Sequence, residues 1–247
     1  MKEKSNKKER RRISAKGLVM ALLALILSAI VAFILLSLVH KHRMDWTAAD
    51  SDNDGIILLH DTDPDGDGIS FCKDRDANNN GKANEAEALS YAGSMTGVPY
   101  DPLMGKFDNV LGKLGMVVCI DVPVRAYLSA GVSFPALLRQ SAAEHPDWFH
   151  INTSNHKEDP FFYRRVRNYF NLFKNHPCLE VSSSPRPGDL AFYGKTHIAV
   201  VTSVTDEEKF KVIEASPYRL RVVKSTSSYM ADTYGPPSFF GRIDYEQ

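Results

Sequence analysis

The 247-residue chain is 43% hydrophobic and 24% charged, a composition that excludes disorder along its whole length. Thirty Lys/Arg balance thirty Asp/Glu, so no global basic field is available for nucleic acid, and three cysteines are too few for a disulfide scaffold. The zero net charge conceals a division. Residues 1–16 hold eight Lys/Arg against Glu3 and Glu9, whereas residues 44–90 hold ten Asp and two Glu against Lys73, Arg75 and Lys82. Such a division predicts different surroundings for the two ends.

Residues 1–16 read as a basic cytoplasmic tail. Residues 17–39 carry no charge over 23 positions, enough for a helix to cross a hydrocarbon core of roughly 30 Å. A cleavable signal peptide has a shorter apolar run that ends in small residues. This run exits instead into His40, Lys41, His42 and Arg43, which favours an uncleaved signal anchor. The excess of Lys/Arg before the span predicts a single-pass protein of the inner membrane, N-terminus in the cytoplasm and the rest periplasmic. Residues 40–49 form a short linker.

An acidic repeat of period thirteen follows over 50–88. Asp50, Asp52 and Asp54 before Gly55 return as Asp63, Asp65 and Asp67 before Gly68, then as Asp76, Asn78 and Asn80 before Gly81. Each unit places an acid eleven residues after its first: Asp61, Asp74 and Glu87. This is EF-hand ligand spacing, with side-chain oxygens at positions 1, 3, 5 and 12 and a backbone carbonyl at position 7, here Ile56, Ile69 and Lys82. Calcium is therefore the expected cofactor. One residue separates successive loops, so flanking helices are excluded; the array resembles thrombospondin type-3 and dockerin calcium repeats. Loop three offers the fewest carboxylates and is expected to bind most weakly. The array is expected to act as a stalk, disordered without ions.

Residues 89–247 read as an α+β domain. The stretch 84–97 predicts a helix stopped by Gly97, and a second begins near Cys119 with Pro123 in its first turn and ends at Gly131. Ser133 and Pro135 open another, through about Glu144. A further helix is predicted over Asp159–Asn175, with Phe162, Val166, Tyr169, Phe170 and Phe173 as its apolar stripe. The period then changes to two. Strands are predicted within 185–194, 197–203, 210–216, 219–224 and 239–243, with a hairpin over 204–209. Helices first and an antiparallel sheet afterwards suggest segregated layers.

Three residues carry candidate chemistry. Cys119 sits where a helix begins, and the positive end of a helix dipole favours thiolate, the nucleophilic form of cysteine. His197 opens a strand, where it can act as the base. Glu214, on the neighbouring strand, can orient the ring through its other nitrogen. The stretches 117–128, 197–203 and 212–216 resemble the NlpC-type papain-like cysteine peptidase and amidase superfamily. The resemblance extends to the bacterial domain-of-unknown-function family numbered 1287 through Val98-Pro99-Tyr100-Asp101-Pro102, Cys119-x-Asp121-Val122, Arg164-Arg165-Val166-x-Asn168, the Pro-Gly-Asp ending at Asp189, and His197-Ile198-Ala199-Val200-Val201. It covers about residues 86–244.

The resemblance implies a papain-like fold of helices and a half-barrel, with Cys119 as nucleophile and His197 as base. Two positions depart from the family pattern: Glu214 stands where His, Asn or Gln is usual, and Ala199 replaces a usual Gly. The charge of Glu214 is expected to raise the His197 pKa. Arg164, Arg165, Tyr100 and Asp121 are candidate substrate-binding residues, each with a plainer reading as ion pair, core or helix-dipole acid. Asp189 reads as turn chemistry. His145, His150, His156 and His176 lack the spacing of a zinc site. Cys72 and Cys178 are candidates to pair in an oxidising compartment, though sequence leaves the connectivity open. By resemblance the substrate class is cell-wall (peptidoglycan) peptide, cleaved by a membrane-anchored cysteine hydrolase. The alternatives are a non-catalytic binding or adhesion module, or a thiol-dependent acyltransferase.

Overall fold

The computed structural model describes residues 15–41, 49–103, 115–152, 154–206 and 209–246. Most of the expected basic tail (1–16) and linker (40–49), and the tip of the 204–209 hairpin, lie outside the described residues. The chain divides into two units, Met1–Leu38 and Val39–Gln247. Helix α1 (Ala15–Lys41) has 27 residues, a rise of about 40 Å. Its described side chains, Gly17 and residues 19–33, are exposed. Among the described residues no helix is long and apolar enough to cross a membrane.

The second unit is α+β. Its helices are α2 (Asn84–Ser94), α3 (Asp121–Leu128), α4 (Phe134–Glu144), α5 (Val166–Asn175) and α6 (Ser227–Tyr234). Its strands are β1 (Leu179–Ser182), β2 (Leu190–Tyr193), β3 (His197–Val204), β4 (Phe210–Ser216), β5 (Arg221–Thr226) and β6 (Phe239–Ile243). They form one antiparallel sheet in the order β1-β6-β2-β3-β4-β5.

Local chemistry explains the helix ends. The Ser133 hydroxyl accepts from the Ala136 amide and caps α4. The helix expected over Asp159–Asn175 is instead broken. Asp159 caps a 3-10 turn, Pro160–Arg164, Arg165 is extended, and α5 starts at Val166. The Asn168 side chain donates to the Phe162 carbonyl at 2.8 Å, the acceptor that a continuous helix would give to the Val166 amide. The apolar stripe survives the break because all five of its residues are buried.

The period-two strands divide the sheet's side chains between two cores. Leu190, Phe192, Ile198, Val200, Ile213, Ala215 and Val222 join the helices in the larger one. Ala191, Tyr193, Ala199, Val201, Phe210, Val212 and Phe240 form a smaller one with Met230 of α6. Contact between α5 and the sheet is close at Gly241, where a Cβ would come 2.4 Å from the Phe173 ring.

The acidic repeats, which sequence suggested as a stalk joined rigidly to the domain, do not stand apart from it. They are folded onto the domain, because a few of their non-ligand positions are apolar and buried. Phe71 and Ala77 are buried in the larger core, and the turn Leu58–His60 packs on α4. A Cβ on Gly131, which has φ +81°, would collide with the Ala77 carbonyl, so the end of α3 lies directly on the third repeat. A disulfide joins Cys72 to Cys178 across 106 residues and leaves Cys119 free. Cys72→Ser or Cys178→Ser is expected to destabilise the protein by about 2–5 kcal/mol. The readout is the denaturant midpoint; an unchanged midpoint would contradict a bridge that constrains the unfolded chain.

Candidate functional site

The start of α3 meets the start of β3. Val117 and Val118 are fixed by the segment before them: the Asp101 amide donates to the Val117 carbonyl (2.8 Å) and the Val117 amide to the Pro99 carbonyl (3.1 Å). Cys119 follows on the turn into α3, half-buried, and its thiol lies 3.9 Å from the Thr196 carbonyl. His197 is the next residue. The residue is 3% exposed, and the Cys119 side chain is among the groups that act on its ring.

Glu214 approaches the ring from β4. The register places it diagonally across from His197 on the same face of the sheet. His197 Nε2 lies 2.9 Å from Glu214 Oε2. The contact is off the direction required of an aligned ring hydrogen bond, so it is an ion-pair contact at hydrogen-bonding distance. Burial opposes charge on the ring, but the Cys119 sulfur and the Glu214 carboxylate outweigh it and push the His197 pKa up to about 9.

Glu214 is fully buried, so its negative charge requires partners. The Ser225 hydroxyl donates to Oε1 at 2.8 Å and the Tyr234 hydroxyl to Oε2 at 3.3 Å. The Tyr234 ring also stacks on His197, with centroids 3.9 Å apart and planes 7° from parallel. Tyr193 packs at 6.2 Å from the same ring. Ser225, Tyr234 and Tyr193 were not legible as site residues. Ser225 depends on the β4–β5 register, whose turn lies two residues later than strand periodicity suggested. Tyr234 depends on α6, which has only weak signals: a Thr226 cap and a Gly235 stop.

The candidate substrate residues are placed differently from expectation. The Arg164 guanidinium is spent within the protein: it grips Asp121 through two nitrogens (3.1 and 2.5 Å) and lies 3.6 Å from Asp101. Asp121 also accepts from the Val118 amide at 2.8 Å. Tyr100 is buried, and burial together with Cys119, Asp101 and Asp121 pushes its phenol pKa up. These three brace the turn under Cys119 instead of offering free groups to a ligand, because a buried guanidinium or carboxylate must be paired. Arg165 donates to the Ser154 carbonyl, Asn155 and Asp159. Asp189 closes its turn by accepting from the Arg186 amide, and it pairs with the buried Arg242 at 2.7 Å; burial, partly offset by Arg242, pushes its pKa up to about 6.

The three repeats share one backbone. Position 4 is left-handed in each (Asn53, Gly66, Asn79), as is position 6 (Gly55, Gly68, Gly81). In each loop the first Asp accepts from the Gly amide at position 6, at 3.1, 3.0 and 2.7 Å, and the fifth residue accepts from the amide at position 7. Ile56, Ile69 and Lys82 thus occupy equivalent turns. Asp61 and Asp74 each also accept from the first Asp of the following loop. Asp50, Asp52 and Asp54, and likewise Asp63, Asp65 and Asp67, bring one oxygen each to within 4.8 Å of one another.

These two clusters are able to hold a metal ion, and the burial pattern fits one. Among the described residues, four buried carboxylate or amide oxygens lack a partner: Asp61 Oδ2, Asp63 Oδ1, Asp74 Oδ2 and Asn78 Oδ1. All four stand at repeat positions 12, 1, 12 and 3. Asp61 is only 4% exposed. Burial, reinforced by Asp54, Asp52 and Asp63, pushes its pKa up, and burial with Asp67, Asp74 and Asp63 does the same for Asp65. In the third loop, Glu87 accepts instead from the amides of Asn78 and Asn80 (2.8 and 2.7 Å).

No protein-family model matches the chain, and no curated protein matches it.

Proposed function

We propose that the protein is a membrane-anchored, periplasmic cysteine hydrolase that cleaves an amide in cell-wall peptide. Calcium would hold its acidic repeats together. One observation carries this reading: the His197 ring has the buried Glu214 carboxylate 2.9 Å from Nε2, Tyr234 stacked on it and Cys119 among the groups that act on it. A structural cysteine needs none of this. The resemblance to NlpC-type papain-like peptidases through Cys119, His197 and Asp189 supports the same assignment and supplies the substrate class.

In the reaction, the Cys119 sulfur attacks the amide carbon and the carbonyl electrons move to oxygen. The C–N bond then breaks as His197 gives its proton to the departing amine, leaving a thioester. Water attacks that thioester while His197 takes its proton; a C–O bond forms, the C–S bond breaks, and the acid leaves. Glu214 stabilises the charged ring during both steps.

Asp50, Asp52, Asp54, Asp61 and the Ile56 carbonyl would hold one calcium ion, and Asp63, Asp65, Asp67, Asp74 and the Ile69 carbonyl a second. Asp76, Asn78, Asn80, Glu87 and the Lys82 carbonyl would hold a third. Hard oxygen ligands in this number suit calcium. The uncharged 17–39 stretch and the preceding basic residues support a single-pass anchor with its N-terminus in the cytoplasm.

The direct test is thiol reactivity. At pH 7, iodoacetamide is expected to alkylate Cys119 at least about tenfold faster than a model thiol, as the nucleophile of a Cys/His pair should. A rate at or below that of the model thiol would reject the nucleophile assignment.

A further inference from the structure

A groove of about 380 Å³ is lined by Ser154, Arg165, Val166, Arg167 and Lys195. Two connections tie it to the reactive sulfur. Lys195 precedes Thr196, whose carbonyl faces the Cys119 thiol. Arg165 follows Arg164, which grips Asp121, two residues beyond Cys119.

The lining is one-signed: three cations and no carboxylate. Arg165 has a counter-charge in Asp159 at 2.7 Å. Among the described residues, Arg167 and Lys195 have no ion-pair partner. Arg167 donates one terminal nitrogen to the Ser154 carbonyl at 3.1 Å, while its Nε is buried with no partner. The exposed Lys195 ammonium lies 5.4 Å from the Phe170 ring centroid. A half-buried guanidinium and an exposed ammonium without counter-charges attract an anion, and a guanidinium fork beside an ammonium suits a carboxylate.

We propose that this groove is a carboxylate subsite, holding an acidic side chain of the substrate beside the scissile amide. Its use in catalysis rests on the Cys119 hydrolase reading; its preference for acid does not. The substrate class narrows to peptides with a free carboxylate within a few residues of the bond cleaved. Arg167 and Lys195 are the specificity-determining residues, and Arg165 chiefly holds the 154–159 loop.

The test uses the full chain in detergent with Cys119→Ala, so that binding is read without turnover. The probes are a short acetylated, C-terminally amidated peptide with one glutamate and its glutamine counterpart. The glutamate peptide is expected to bind about tenfold more tightly, as befits a charge-assisted contact. Arg167→Gln with Lys195→Gln is expected to abolish that difference and leave the glutamine peptide unaffected. In the otherwise native enzyme the same pair should raise KM for the acidic peptide with kcat nearly unchanged. Equal binding of the two peptides, or a difference that survives the double substitution, would overturn the subsite. The two readings fail separately. An acid preference with an unreactive Cys119 removes the hydrolase and keeps the groove, while turnover without acid preference does the reverse.

Discussion

Cys119→Ala is expected to abolish cleavage of wall peptide, a loss of about 10⁴–10⁶-fold, and Glu214→Gln to lower kcat by about 10²–10⁴-fold with the fold intact. The gradation follows from the roles. Without sulfur no thioester forms. Without the carboxylate the thiol and ring remain, but the imidazolium loses the charge 2.9 Å from Nε2 and the partner that fixes its tautomer. The pH profile separates this from a packing defect. In the native enzyme the ring keeps its proton until about pH 9, so the alkaline limb of kcat/KM is expected there. Removing the negative charge lowers the His197 pKa and moves that limb to lower pH. The same shift has a sign in stability: a raised His pKa stabilises the fold fully below about 6.5, and the contribution is lost as pH rises through about 9. A Glu214→Gln enzyme with native kcat and an unmoved alkaline limb would make Glu214 a bystander.

Chelating calcium is expected to lower the melting temperature by about 5–10 °C for each site released. This corresponds to about 2.7 kcal/mol at a calcium concentration a hundredfold above Kd, at about 2–4 °C per kcal/mol for a domain of this size. The effect should be larger at pH 8 than at pH 5. Asp61 and Asp65 have raised pKa values, so without a cation the folded array loses stability as pH rises through those values and the carboxylates charge. A bound cation reverses the cost by meeting the oxygens that now lack partners. Loss of the ions should be felt beyond the loops, because Ala77 lies under Gly131 at the end of α3 and Asn78 donates to the Ser129 carbonyl there. A melting curve indifferent to chelator at both pH values would leave the repeats as an ion-free acidic surface.

Much was readable from one dimension because its causes are local. Period-two alternation marked most strands, turn glycines marked the ends of α2 and α3, and the thirteen-residue step placed three loops whose left-handed positions coincide. The meeting of His197 with Glu214 was anticipated because they stand on neighbouring strands of one hairpin, whereas Cys119 was joined to them only through the family resemblance. What failed was decided by packing. The Asp159–Asn175 stripe looked continuous, yet the Asn168 side chain takes the Phe162 carbonyl and splits it. Arg164 looked like a ligand for substrate, but its burial against Asp121 and Asp101 emerges only when segments far apart in the chain meet.

By itself, the order of residues determined how the acids are spaced and where most helices and strands start, because each depends on neighbours a few positions away. Only the tertiary structure decided that the acidic loops lie against the domain, that Cys72 meets Cys178, and that Tyr234 covers His197. Those outcomes depend on which buried surfaces and charges find partners across more than a hundred residues of chain or across the sheet, and local propensity carries no record of that.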